Sequence, residues 1–240
     1  MEPLTTFFQT AAIAVVGILI RFLVAAALLA LIVAPLALFF LGAERVARWR
    51  ERAQGLVRDG SLLWRRGLYY ASGHTWLGEQ GDGSVRVGLD DIAQRVLPGV
   101  RVLRMAPVGT DLRRGDELAT LEVGDHRLPL AAPTGGRVVS INERVAREPG
   151  LIHRDPYRRG WIAAIAPHTR EFESWPTGER AHGWLRREDH RLNGFLEMEL
   201  GIAAADGGEW LVPPTAMMTG AQFEALRRGF LTPHEEDREV

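Results

Sequence analysis

Thr120-Leu-Glu-Val-Gly-Asp-His-Arg-Leu-Pro-Leu-Ala-Ala-Pro-Thr-Gly-Gly-Arg-Val-Val139 is the stretch that decides the fold. Two short apolar runs face each other across a polar turn at Gly124 to Arg127. Leu121 and Val123 alternate with polar neighbours, and Gly124-Asp125 supplies turn chemistry. Pro133 with Gly135-Gly136 then turns the chain again before the β-branched pair Val138-Val139. The pattern predicts a β-hairpin whose tip carries Asp125 and His126.

Around this hairpin, 240 residues leave room for one ordinary domain with an anchor and a tail, or for two small domains. With 29 basic and 30 acidic residues the net charge is −1, so there is no global basic field and no nucleic-acid partner is expected. Every basic residue is arginine; the chain contains no lysine. The absence of cysteine removes disulfides, thiolate metal sites and cysteine nucleophiles. Thr134-Gly135-Gly136 lacks a Walker lysine, no Gly-x-Gly-x-x-Gly opens a helix, and no two histidines sit four apart around a glutamate. Neither a cofactor nor a metal is therefore expected.

Towards the N-terminus, Phe7 to Leu41 is apolar apart from Gln9, Thr10 and Arg21. Phe22 to Leu41 is free of charge and long enough for the roughly 20 residues a bilayer needs, which predicts a transmembrane α-helix within an anchor over residues 1–43. The opening Met-Glu-Pro-Leu-Thr-Thr lacks a basic region, so the helix is expected to be retained rather than cleaved. Arg45, Arg48, Arg50, Arg52, Arg58, Arg65 and Arg66 follow it, predicting an arginine-rich juxtamembrane helix over residues 44–67. The same asymmetry predicts a single pass through the inner (cytoplasmic) membrane, with the N-terminus outside and the C-terminal domain cytoplasmic. Arg21, inside the apolar run, calls for a partner.

From Leu68 to Pro167 the chain resembles the glycine cleavage system H protein and related lipoyl domains. The resemblance is carried by Tyr70-x-x-x-His74-x-Trp76, by Val87 to Leu97 with Asp90 placed as a helix cap, and by Met105-Ala-Pro-Val-Gly109 with Arg114-Gly-Asp116. Beyond the hairpin, Val138 to Asn142 and Asp155-Pro-Tyr157 with Gly160-Trp161 continue it in register. It implies two packed antiparallel sheets of the barrel-sandwich hybrid type over residues 68–168; alternating apolar positions and frequent Gly and Pro independently argue for an all-β domain. It also implies a lipoyl-lysine at the hairpin tip. Counting back from Ala132-Pro-Thr-Gly-Gly136, that position falls on Asp125. A lipoyl amide needs an ε-amine, which neither a carboxylate nor a guanidinium replaces. The resemblance further places His74 near the lipoyl cavity and Glu122 just before the modified position.

Residues 169–240 are expected to form a small α+β extension. Arg170 to Arg191 is polar, with Trp175 and Trp184 as packing anchors. Gly194 to Leu200 and Glu209 to Pro213 read as a two-stranded piece, and Thr219 to Phe230 as an amphipathic helix. Phe195 to Leu200 followed by Trp210-Leu-Val-Pro-Pro also resembles a strand pair in the H subunit of purple-bacterial photosynthetic reaction centres.

The nearest approach to a catalytic set is His74, Asp90, Asp91, Glu122, Asp125, His126 and His153. Neighbours in a strand point to opposite faces, so Asp125 and His126 do not converge on one ligand, and no enzyme is expected. The chain reads as a non-catalytic, non-lipoylated, membrane-anchored accessory or assembly subunit of a larger membrane complex. Integral membrane subunits and the bilayer are its expected partners, and Arg21, Arg45, Arg48, Arg50, His74, Asp125 and His126 its expected interface. Two other readings stay open: an H-type subunit of a photosynthetic reaction centre or other electron-transfer complex, and a ligand sensor using the vacated lipoyl groove.

Overall fold

The computed structural model describes residues 17, 19–31, 33, 55–201 and 214–233. The chain divides into two units, Met1–Gln54 and Gly55–Val240.

In the first unit residues 19–31 are helical and exposed. Among the described residues no helix is long and apolar enough to cross a membrane. This overturns the expected transmembrane helix, and the membrane assignment and single-pass inner-membrane topology fall with it. Residues 34–41 of the expected span lie outside the described residues.

The second unit is mainly β. Leu56–Asp59 (β1) and Leu62–Arg65 (β2) form an antiparallel hairpin through the turn Gly60-Ser61. The expected helix over 44–67 is therefore corrected from Leu56 onward, and residues 44–54 lie outside the described residues. Leu62 and Trp64 alternate into the core, and a period of two is the pattern of a strand.

Six strands form the larger sheet: Tyr69–Ala71 (β3), Thr75–Glu79 (β4), Val85–Leu89 (β5), Asp111–Leu112 (β7), Gly136–Ile141 (β10) and Ala163–Pro167 (β11), in the order β3-β4-β5-β11-β10-β7. Arg101–Met105 (β6), Glu117–Val123 (β8) and His126–Ala131 (β9) form a three-stranded sheet in the order β6-β8-β9. Pairing is antiparallel throughout both. The deciding stretch is β8 and β9: Leu121 pairs with Leu128 and Val123 with His126, while Gly124 takes φ +56° in the turn. Pro129 is tolerated because β9 is an edge strand.

The family-like motifs turn out to be joints. Asp90 caps the helix Asp91–Val96 (α1) by accepting from the Ala93 amide at 3.0 Å. Asn142 caps Glu143–Arg147 (α2), and its Nδ2 donates to the carbonyls of Arg159 at 2.8 Å and Trp161 at 2.7 Å. Next to the short helix Leu151–Arg154 (α3), Tyr157 is buried. Its hydroxyl accepts from the Asp91 amide at 3.1 Å and donates to the Leu63 carbonyl at 2.7 Å, tying α1 to β2.

The described part of the extension is helical, which corrects the expected α+β character. Gly178–Leu200 forms one long helix (α4), so the expected strand over Gly194 to Leu200 is wrong. Ala181, Leu185, Leu192 and Leu196 are buried at helical spacing, and that face outweighs the local alternation. The second expected strand, Glu209 to Pro213, lies outside the described residues. A 3₁₀ turn, Pro214–Met217, leads to the helix Gly220–Phe230 (α5), which opens with a Thr219/Gln222 capping box and buries Phe223, Leu226 and Phe230.

Candidate functional site

The hairpin tip is one candidate. Asp125 is exposed and His126 half-buried. The His126 ring stacks on Phe223 of α5, centroids 4.2 Å apart and planes 9° from parallel. A groove of about 590 Å³ runs beside the tip, lined by Gly99, Asp125, His126, Thr215 and Met218 among others. The tip is thus braced by the extension through His126, while Asp125 stays exposed.

A second polar centre lies in the interior. His74 immediately precedes β4, in a turn closed by its amide donating to the Ala71 carbonyl at 2.9 Å, and it holds φ +54°, a left-handed conformation costly for a side chain with a Cβ. Its Nδ1 stands 2.9 Å from Asp90 Oδ2 and its Nε2 3.4 Å from Glu188 Oε2. Burial pulls the imidazole pKa down, but the two carboxylates outweigh it and raise it to about 9. Burial raises the Glu188 carboxyl, yet His74 and Arg191 beside it prevail and hold it at about 2. His74 is therefore a cation at neutral pH, clamped between two carboxylates and covered by the rings of Trp184 and Phe230 at 5.4 and 6.2 Å. With no exposed surface, it is corrected from an interface residue to an internal brace joining β4, α1 and α4.

The remaining residues do not gather into one site. Asp91 is held at the α1 terminus, where burial raises its pKa to about 6, and Arg95 lies 3.4 Å away. Glu122 pairs with Arg101 across β6 and β8. His153 sits on α3, its pKa lowered by burial. Of the seven, the structure brings together His74 and Asp90. Among the described residues no group of three or more His, Cys, Asp and Glu could hold a metal. Arg21 lies exposed in the helical residues 19–31, and Arg45, Arg48 and Arg50 fall outside the described residues. Glu188 and Phe223, which hold His74 and His126, were not anticipated as site residues. Their signal was the helical spacing of buried positions in α4 and α5.

The glycine cleavage H-protein family matches residues 68–187. Glycine cleavage system H protein 3 of Aquifex aeolicus is 34% identical over 131 residues, covering 55% of this chain and 81% of the relative. A probable glycine cleavage system H protein of Pyrococcus furiosus is 35% identical over 118 residues, covering 49% of this chain and 87% of its own length. Among solved structures, a glycine cleavage system H protein from Mycobacterium marinum matches 44% of this chain and 87% of its own, with 28% identity and a TM-score of 0.41.

Proposed function

Because the chain belongs to the glycine cleavage H-protein family yet places Asp125 at the hairpin tip and contains no lysine, we propose that it is a non-lipoylated member that binds rather than carries. In this reading it is a non-catalytic docking or assembly subunit of a larger protein complex. The lysine-free tip is the observation that carries the proposal: an amide-linked acyl arm has no amine to join.

Two further features support a binding role. The tip is braced by His126 on Phe223, so the hairpin presents a fixed surface with an exposed carboxylate rather than a tether. The helical residues 19–31 expose Leu19, Ile20, Phe22, Leu23 and Leu28 by 54 to 71%, a run of apolar surface that water covers poorly and an apolar partner surface covers well. The relatives are named for the glycine cleavage system; here the protein contact is kept without the carrier chemistry. The reaction-centre reading loses its basis, because Phe195 to Leu200 is helical.

The test is to isolate the full chain from its native cells and record its intact mass and its stoichiometric companions. The unmodified polypeptide mass, together with at least one other protein chain in fixed ratio, is expected. A lipoyl-sized addition, or a chain that always runs alone, would overturn the proposal.

A further inference from the structure

Away from the hairpin tip, a cleft of about 350 Å³ opens between α4 and the segment Ser174-Trp175-Pro176, with Tyr70 and Trp184 in its lining. That volume lies at the lower end of small-molecule sites. Trp175 and Tyr70 are buried and form the floor, while Trp184 is half-buried and leaves ring surface to the cleft.

Arg180 and Arg187 belong to the same lining. Along α4, Arg180, Gly183, Trp184 and Arg187 follow the i, i+3, i+4, i+7 spacing that sets residues on one face. A Cβ added at Gly183 would meet only Arg187 Nη1, at 3.7 Å. The Arg187 guanidinium thus reaches back over the glycine towards Arg180, the direction in which helix side chains lean. Packing does not require this glycine, since a methyl group would fit; its effect is to leave the helix face open between two cations and beside an indole.

The two guanidiniums differ from their neighbours. Arg186 lies 3.5 Å from Asp59, and Arg191 pairs with Glu188. Among the described residues, the guanidiniums of Arg180 and Arg187 make no hydrogen bond or ion pair. A larger cavity of about 510 Å³ beside β4 is also rich in arginine, but its cations are already held. There Arg65 donates to the Tyr157 carbonyl at 2.7 Å, Arg66 lies 3.4 Å from Glu179, and Arg159 donates to Asp155 at 2.8 Å.

We propose that the α4 cleft binds a small aromatic anion of the phosphomonoester class, its ring against Trp184 and its head group between Arg180 and Arg187. A planar guanidinium donates two parallel hydrogen bonds to a tetrahedral oxyanion, and an indole face takes an aromatic ring in offset contact. Neither group alone fills the site: the ring lacks a charge partner without the head, and the head lacks apolar burial without the ring. This site does not depend on the hairpin tip or on the docking reading.

The test is a ligand-observed NMR titration of the full chain with phenyl phosphate, against phenol and inorganic phosphate. Saturable binding of phenyl phosphate, with a dissociation constant on the order of 0.1–1 mM, is expected, and both fragments should bind at least tenfold more weakly. Arg180→Gln and Arg187→Gln should each weaken it about tenfold. Arg186→Gln removes the same charge from another face of the same helix and should leave binding unchanged. No saturable binding, or an equal loss in Arg186→Gln, overturns the assignment. All three side chains are exposed, so circular dichroism should confirm that each variant is folded.

Discussion

The imidazole of His126 lies flat on the ring of Phe223, 4.2 Å between centroids. This contact joins the hairpin tip to α5, an element beyond residue 187, where the family match ends. The helix that packs on the tip belongs to the extension, not to the shared domain.

Restoring the missing amine should therefore not by itself restore a carrier. Asp125→Lys, incubated with lipoate, ATP and a lipoyl ligase, is predicted to gain little or no lipoyl mass, because Phe223 of α5 packs against His126, the residue next to the modified position. Adding Phe223→Ala should raise the modified fraction. Complete modification of Asp125→Lys alone would show that the extension does not shield the hairpin. Phe223 is 5% exposed, so its loss should also lower stability by about 3–5 kcal/mol in urea unfolding.

The buried imidazole gives a pH signature. An unfolded histidine titrates near ~6.5, and in the fold Asp90 and Glu188 outweigh burial to raise the pKa of His74 to about 9. A raised pKa means that the stabilisation is fully present below about pH 6.5 and is lost as pH rises through about 9. The urea midpoint of the full chain should fall over that window, by an amount on the order of 3 kcal/mol in free energy, and His74→Gln should flatten the slope. Glu188, held at about 2, acts on the other side: its contribution is present above about pH 4.5 and is lost as pH falls through about 2. A midpoint indifferent to pH between 6.5 and 9.5 would mean that His74 is not held as a cation.

Tyr157→Phe keeps the ring and removes one oxygen. The Asp91 amide and the Leu63 carbonyl both lose their partner to that oxygen. A cost of about 2–3 kcal/mol is expected, together with faster amide exchange in β1 and β2, because an unpaired buried polar group costs more than the bond it replaces contributes. An unchanged exchange pattern would remove this joint from the account.

Gly136 has no room for a side chain: a Cβ there would sit 2.3 Å from the Ala166 carbonyl oxygen on the paired strand β11. Gly136→Ala should cost about 2–3 kcal/mol, or shift the β10–β11 register, and thermal unfolding with amide exchange separates the two. Stability equal to the parent would contradict the close pairing.

The β domain was legible because its motifs are joints whose residue types admit few substitutes. Asp90 must accept an amide, Asn142 must both accept and donate, and Tyr157 needs a hydroxyl at a fixed reach. The extension was not legible in the same way. Phe195 to Leu200 alternates well enough to pass for a strand, and only the longer series from Ala181 to Leu196 shows the helical face. The amphipathic spacing over Thr219 to Phe230, with Phe223, Leu226 and Phe230 towards one side, did mark α5. The site was less legible still, since Glu188 meets His74, and Phe223 meets His126, through contacts far apart in sequence that only the fold brings about. Hydrophobicity alone misled at the N-terminus, where an apolar run suggested a span, while among the described residues no helix is long and apolar enough to cross a membrane.

The central claim is that this member of the family has kept the fold without the carrier chemistry. The most direct measurement is to substitute the chain for the H protein in a reconstituted glycine cleavage system supplied with lipoate, ATP and a lipoyl ligase, and to follow glycine breakdown. No turnover above the mixture lacking any H protein is predicted, while breakdown restored by this chain would contradict the account.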